Sequence, residues 1–343
     1  MDSPNIDDAM KFIDLEESKR RDIIQNVSNK SGLLPVSIEK DWWVVQVLKA
    51  LFSLPYAEHL SFKGGTSLSK CWHLIERFSE DVDIAINHEF LGFHEPLSKT
   101  QISDKLRRAS CSFVRDTLQK DLREQIVRQG IGEEAYTVSV DITPVSTTDP
   151  ETVTLSYRSL FDPQPYIINK VKIEVSARSM SEPVQKCMVT SFIDEVYPDA
   201  VFHEGAIEVK AVMPERTFLE KVFLLQEEFA KPTGEIRVER MSRHMYDIVM
   251  MMKSDVAARA IKDKGLYHKI VEHRRKYIGL KGFDYGLLEP MNINIMPPDN
   301  VVDLWRKDYE TMCQNMIYGT SPSFDRILES LNSLITSIRE EKK

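Results

Sequence analysis

A chain of 343 residues, 42% hydrophobic and 29% charged, has ample length to bury a core and predicts two or three structural units. Its formal net charge of -8 excludes a molecule-wide positive field for nucleic acid, so any such binding must be local. No apolar run approaches the roughly 18 residues of a membrane-spanning helix, and residues 1–8 are acidic rather than signal-like, so a cytoplasmic protein with no membrane attachment is expected.

Residues 10–30 and 36–53 predict helices. In the second, Ser37 is the expected cap, and Ile38, Trp42, Val45, Leu48, Ala50 and Leu51 follow one stripe while Glu39, Lys40 and Asp41 decorate the first turns. Residues 60–86 read as strand, glycine turn, helix over 68–78, and strand. A loop at 88–96 precedes a long helix over 103–129, closed by Gly130. Alternation then predicts strands at 136–145, 152–157 and 171–177, with a turn at 147–150, and the sheet is expected to end near Arg178. From Pro214 the pattern is helical. The expected division is an N-terminal helical segment (1–56), a catalytic core (57–180) and a mostly helical C-terminal part (181–343).

Cys71, Cys111, Cys187 and Cys313 are far apart and lack Cys-x-x-Cys spacing, so they read as reduced thiols rather than zinc ligands. Two basic stretches, 105–128 and 268–277, could contact nucleic acid, although each reads more readily as a solvated helix face. Trp42-Trp43 and Met250-Met251-Met252 read as core.

The chemistry is carried by Lys63-Gly64-Gly65-Thr66-Ser67 and, downstream, Glu80-Asp81-Val82-Asp83-Ile84-Ala85-Ile86. Adjacent glycines let backbone N–H groups approach a phosphate, and Thr66 and Ser67 add hydroxyls. Asp81 and Asp83, two apart on a strand, point to one face, where a divalent cation offsets their repulsion. Alone, either piece is an ordinary turn or a solvated strand; their order suggests a nucleotide site. A third carboxylate is expected on a neighbouring strand, and Glu174 and Asp141 both qualify, each flanked by apolar residues. On the helix opened by Pro214, Lys221 lies at the edge of the apolar stripe of Phe218, Val222 and Leu225. Arg243 and Asp247 stand four apart, either as an intrahelical ion pair or as a phosphate ligand and the carboxylate that holds Lys221 or Arg243.

The glycine turn, helix and Asp-x-Asp strand together resemble the polymerase-β-like nucleotidyltransferases. More closely, Ile38-Glu39-Lys40-Asp41-Trp42-Trp43, Phe62-Lys63-Gly64-Gly65-Thr66-Ser67, Arg77-Phe78-Ser79-Glu80-Asp81-Val82-Asp83, Arg216-Thr217-Phe218-Leu219-Glu220-Lys221 and Arg243-His244-Met245-Tyr246-Asp247 resemble the AbiEii family of nucleotidyltransferase toxins, as does the tail through Phe324. The resemblance implies an α/β (α+β) fold: a nucleotidyltransferase core with a mixed sheet, flanked by N-terminal helices and a C-terminal helical domain. It implies a toxin of a toxin–antitoxin or phage-defence pair, with a cognate antitoxin encoded nearby and tRNA as acceptor. Lys63, Gly64, Gly65, Thr66, Ser67, Lys221 and Arg243 would bind NTP, and Asp81, Asp83 and Glu174 would hold two Mg²⁺ ions. Lys221 and Asp247 would complete the catalytic set, and the resemblance favours Glu174 over Asp141. A protein or small-molecule acceptor, or a non-catalytic NTP-binding module, remains an alternative. The gap between the glycines and Asp81 is longer than in the wider superfamily, which bears on the length of the intervening helix.

Overall fold

The structure is a computed structural model describing residues 10–141, 151–162, 164 and 166–341. The turn expected at 147–150 and the acidic residues 1–8 lie outside the described residues.

Two helices open the chain, α1 (Glu17–Ser31) and α2 (Pro35–Leu51). Pro35 starts α2 with its fixed φ, so the helix begins earlier than expected and Leu34, not Ser37, is its cap residue. Ser37 is fully buried inside the helix and its hydroxyl has no partner. Almost all of α2 is buried, including Glu39, Lys40 and Asp41, which were expected to decorate its surface. Trp43 stacks on Tyr157 with ring centres 5.2 Å apart, and Trp42 packs edge-on against Trp43, so the pair belongs to the core.

The centre of the molecule is a mixed seven-stranded sheet, with β1 (Leu60–Lys63), β2 (Val82–Ile86), β3 (Tyr136–Asp141), β4 (Glu151–Tyr157), β5 (Lys170–Ser176), β6 (Val184–Val189) and β7 (Ile207–Val212) in the order β3-β4-β5-β2-β1-β7-β6. The sheet does not end near Arg178. β7 runs parallel to β1 at Phe62↔Ala211, and β6 pairs antiparallel with β7. Parallel pairing joins segments remote in sequence, which local alternation cannot reveal. At the centre, β2 is antiparallel to β1 and parallel to β5.

β1 passes directly into α3 (Gly64–Lys70), which stops well short of residue 78. The extra residues before Asp81 are therefore mostly loop, from Cys71 onward, and not helix. The long helical stretch over 101–128 is assembled from α4 (Arg107–Phe113), α5 (Gln119–Arg128) and two wider turns, and closes at Gly130 with φ +81°. Its cations Arg108, Lys120, Arg123 and Arg128 pair with carboxylates along the same surface, as a solvated face does.

A short α6 (Phe192–Val196) lies between β6 and β7. The helical remainder comprises α7 (Pro214–Phe229), α8 (Ser242–Met251), α9 (Val256–Lys262), α10 (Lys264–His273), α11 (Asp299–Asn315) and α12 (Phe324–Glu340). α7 and α8 are largely buried and pack on each other; Met250 and Met251 lie in the core. Among the described residues, no helix is long and apolar enough to cross a membrane, and no disulfide joins the four cysteines.

Candidate active site

Strand register assembles one rim of a cleft. Lys63 on β1 is paired with Asp83 on β2, and Asp83 with Glu174 on β5. At a strand spacing of about 4.8 Å, Asp83 and Glu174 are lateral neighbours on one face. Asp81 stands two residues before Asp83, just ahead of β2. The same row continues through Thr152 to Asp141, two strands beyond Glu174, where Asp141 accepts a 2.9 Å hydrogen bond from Thr154. Register thus brings Glu174 to the aspartates and leaves Asp141 at a distance. Lys63, Asp81, Asp83 and Glu174 all line a cleft of about 510 Å³; Asp141 does not.

The glycine pair is dictated by what surrounds it. Gly64 has φ +80°, and a Cβ there would lie 2.0 Å from Oδ2 of Asp83. A Cβ at Gly65 would lie 2.6 Å from the Arg77 guanidinium and 2.9 Å from Ser79 Oγ. Both glycines face the cleft, but Thr66 and Ser67 do not. Thr66 Oγ1 donates to the Asp81 carbonyl and meets Ser79 Oγ at 3.0 Å, and Ser67 Oγ donates to the Gly64 carbonyl at 2.9 Å. Those two hydroxyls brace the turn against the aspartate strand and are buried.

The opposite wall is cationic. Lys221 on α7 and Arg243 and His244 on α8 line the cleft. Asp247, fully buried one turn after Arg243, turns away from it: it accepts two hydrogen bonds from Arg77, at 2.7 and 2.8 Å, and pairs with Lys221 at 2.9 Å. The groups that Asp247 pairs with are therefore Lys221 and Arg77. Arg77 is the residue that sequence reasoning missed. It sits in a stretch that reads as helix, and its only signal was its place in the block leading to Asp81. Arg243 has a buried Nε–H with no hydrogen-bond partner, an unmet donor at the cleft wall.

Charge follows this layout. Burial raises the Asp81 carboxyl above its ordinary range, Glu80 and Asp83 add to the rise, and Arg243 and Lys40 oppose it. Glu174 is raised by burial and then by Asp83 and Asp81, against Lys63 and Lys172. Burial opposes ionisation of Asp247 too, yet Arg77 and Lys221 outweigh it and hold the carboxyl far below its usual range. Burial lowers Lys221, with Asp247 opposing. His244, 3.4 Å from the Lys221 amine through Nδ1, is pushed well below its ordinary value by burial and by the Lys221 and Arg243 charges.

Among the described residues no three His, Cys, Asp or Glu side chains converge closely enough to define a metal centre by geometry alone. The donors on the rim are nonetheless three carboxylates, two of which, Asp81 and Glu174, are raised in part by their acidic neighbours, and hard oxygen ligands suit Mg²⁺.

An acidic row beside a glycine turn, across a cleft from Lys221 and Arg243, suits nucleotidyl transfer. Comparison with known families agrees: the model described as "Nucleotidyl transferase AbiEii toxin, Type IV TA system" matches residues 46–330. The chain belongs to the AbiEii family of nucleotidyltransferase toxins, which act in type IV toxin–antitoxin systems. Membership implies an antitoxin partner. Among solved structures it is similar to MenT4, a nucleotidyltransferase toxin from Mycobacterium tuberculosis H37Rv, at 14% identity, covering 95% of this chain and 99% of that one with a TM-score of 0.43. It is also similar to JHP933 from Helicobacter pylori, at 14% identity, covering 90% and 94% with a TM-score of 0.42. No curated protein matches the sequence.

Proposed function

We propose that the protein transfers a nucleoside monophosphate from an NTP to the 3′-terminal hydroxyl of tRNA in the cytoplasm, and so blocks translation. The observation that carries the reading is the register row of Asp83 and Glu174, beside Asp81, facing Lys221 and Arg243, with its unmet Nε–H, across one cleft. In the reaction the acceptor oxygen bonds to the α-phosphorus as the bond to the β-phosphate bridge breaks, and pyrophosphate leaves.

Asp81, Asp83 and Glu174 are the residues that would hold Mg²⁺, which when bound supplies charge neutralisation at the reacting phosphate and acidifies the acceptor hydroxyl. Glu174, a carboxylate beside Asp83 on the neighbouring strand, is placed to take the proton that the hydroxyl releases. Gly64 and Gly65 line the cleft at the end of β1, with Lys63 beside them, and are placed to meet phosphate oxygens. Arg243 offers Nε–H to the triphosphate. Lys221 presents a charge steadied by Asp247, and Thr66 and Ser67 keep the turn in register with Asp81.

The test is an incubation of purified protein with Mg²⁺, each α-³²P-labelled NTP in turn, and total cellular RNA with protein extract, alongside Asp81→Ala. Label in the tRNA size range that disappears with the variant supports the proposal. Label only in protein or small molecules would replace tRNA as acceptor, and no label with any NTP would overturn the catalytic reading.

A further inference from the structure

The Glu39-Lys40-Asp41 run plays no direct part in the chemistry above, yet its side chains are among the most deeply buried charges in the protein, with Lys40 at 1% and Asp41 at 3% exposure. Each reaches a different element. Glu39 accepts from the backbone N–H of Leu160 at 2.8 Å and from the Ser159 hydroxyl. Lys40 Nζ donates to Oε2 of Glu80 at 2.7 Å and to the Ile168 carbonyl at 3.0 Å. Asp41 pairs through Oδ1 with Lys70 Nζ at 2.5 Å, and its Oδ2 accepts from the Phe192 N–H at 2.8 Å.

The two partners are not arbitrary. Lys70 is the last residue of α3, the helix that begins with Gly64 and Gly65. Glu80 immediately precedes Asp81, and its other oxygen takes Arg240 from the loop before α8. Buried ion pairs add little net stability over apolar packing, but their directionality specifies one arrangement of the parts they join. Here the parts are the phosphate turn and the carboxylate strand, tied to adjacent residues of one rigid helix.

We propose that Lys40 and Asp41 form a buried clamp that sets the glycine turn and the carboxylate strand at a fixed distance, Asp41 acting through Lys70 and Lys40 through Glu80. Both are positioning residues for the transfer reaction, and neither touches substrate. The inference rests on the proposed reaction for its kinetic consequence but not for its structural one.

Amide hydrogen exchange on the full-length protein, paired with steady-state kinetics, tests it in Lys40→Met, Asp41→Asn and Glu39→Gln. Arg240 still compensates Glu80 in Lys40→Met, so that variant leaves no stranded anion. Lys40→Met raises exchange over residues 80–84 and lowers kcat about 100-fold, the effect of moving a reacting group by about 1 Å, with KM for NTP unchanged. Asp41→Asn raises exchange over residues 64–70 and raises KM for NTP about tenfold, the worth of one charged hydrogen bond. Lys40→Arg, which keeps the charge, recovers protection and part of kcat. Glu39→Gln, buried on the same helix but bonded elsewhere, gives neither pattern. Should Asp41→Asn not fold, Asp41→Asn/Lys70→Met removes both charges together and gives the same reading.

The clamp is overturned if Lys40→Met and Asp41→Asn loosen both segments alike and change kcat and KM in the same proportion as Glu39→Gln. If the wild-type protein labels no acceptor, the proposed reaction fails while the exchange pattern still decides the clamp.

Discussion

Replacing Gly64 with alanine isolates the geometric demand of the site. The left-handed backbone at φ +80° costs an alanine about 1–2 kcal/mol. The new Cβ would also stand 2.0 Å from Oδ2 and 2.8 Å from Cγ of Asp83, whereas carbon contacts settle at about 3.5–4 Å. The backbone of Asp83 is held by strands on both sides, so its carboxylate must swing away by more than about 1 Å, enough to lower the transfer rate about 100-fold. Gly92 is the control: it has φ +83° and nothing within 4 Å of where a Cβ would stand, so Gly92→Ala carries the backbone cost without the clash. Urea denaturation should show similar destabilisation of both variants, while nucleotide transfer collapses only in Gly64→Ala. Near wild-type turnover in Gly64→Ala, or an equal loss in Gly92→Ala, would refute the reasoning.

Asp247→Asn removes the shared anion of two buried cations, Arg77 and Lys221, and should cost about 3–5 kcal/mol by urea midpoint; a loss below about 1 kcal/mol would show that the site rearranges to solvate them. Lys221→Ala should raise KM for NTP in steady-state kinetics, and unchanged kcat and KM would remove Lys221 from the phosphate site. Asp81 and Glu174 titrate above their ordinary values of 3.8 and 4.5, so the folded, metal-free protein binds more protons than the unfolded chain. The stability these protons contribute is fully present below the ordinary values and is lost as pH rises through the raised ones. Thermal unfolding of metal-free protein should therefore fall in Tm from about pH 4 upward through that window, with a flatter slope in Glu174→Gln; an equal slope in that variant would rule out Glu174 as a source.

What the sequence displayed was whatever local pattern controls. The Asp81–Ile86 strand, the Pro214 helix and the alternation around Glu174 each follow a period that one segment sets for itself. The glycine pair was legible as a special turn, though its cause, the Asp83 carboxylate and Arg77 guanidinium pressed against it, was not. Arg77 was hidden because residues 71–78 have a helical pattern that the chain abandons after Lys70, at the point where Asp247 can reach the guanidinium. β6 and β7 were missed because β7 gains its place from parallel pairing with β1, far away in sequence. Glu39, Lys40 and Asp41 looked like surface decoration for a simpler reason: charge alone does not reveal that every one of them has a buried partner.

The contact between Arg77 and Asp247 closes a loop of 170 residues, and β1 has no outer neighbour until β7 is made. A growing polypeptide whose glycines and aspartates have already emerged still lacks the carboxylate that seats Arg77 and Lys221. Under the proposed function, a fragment that ends before Asp247 transfers no nucleotide. A stop codon between Asp83 and Asp247 is therefore expected to abolish the proposed transfer as fully as one placed inside the acidic motif.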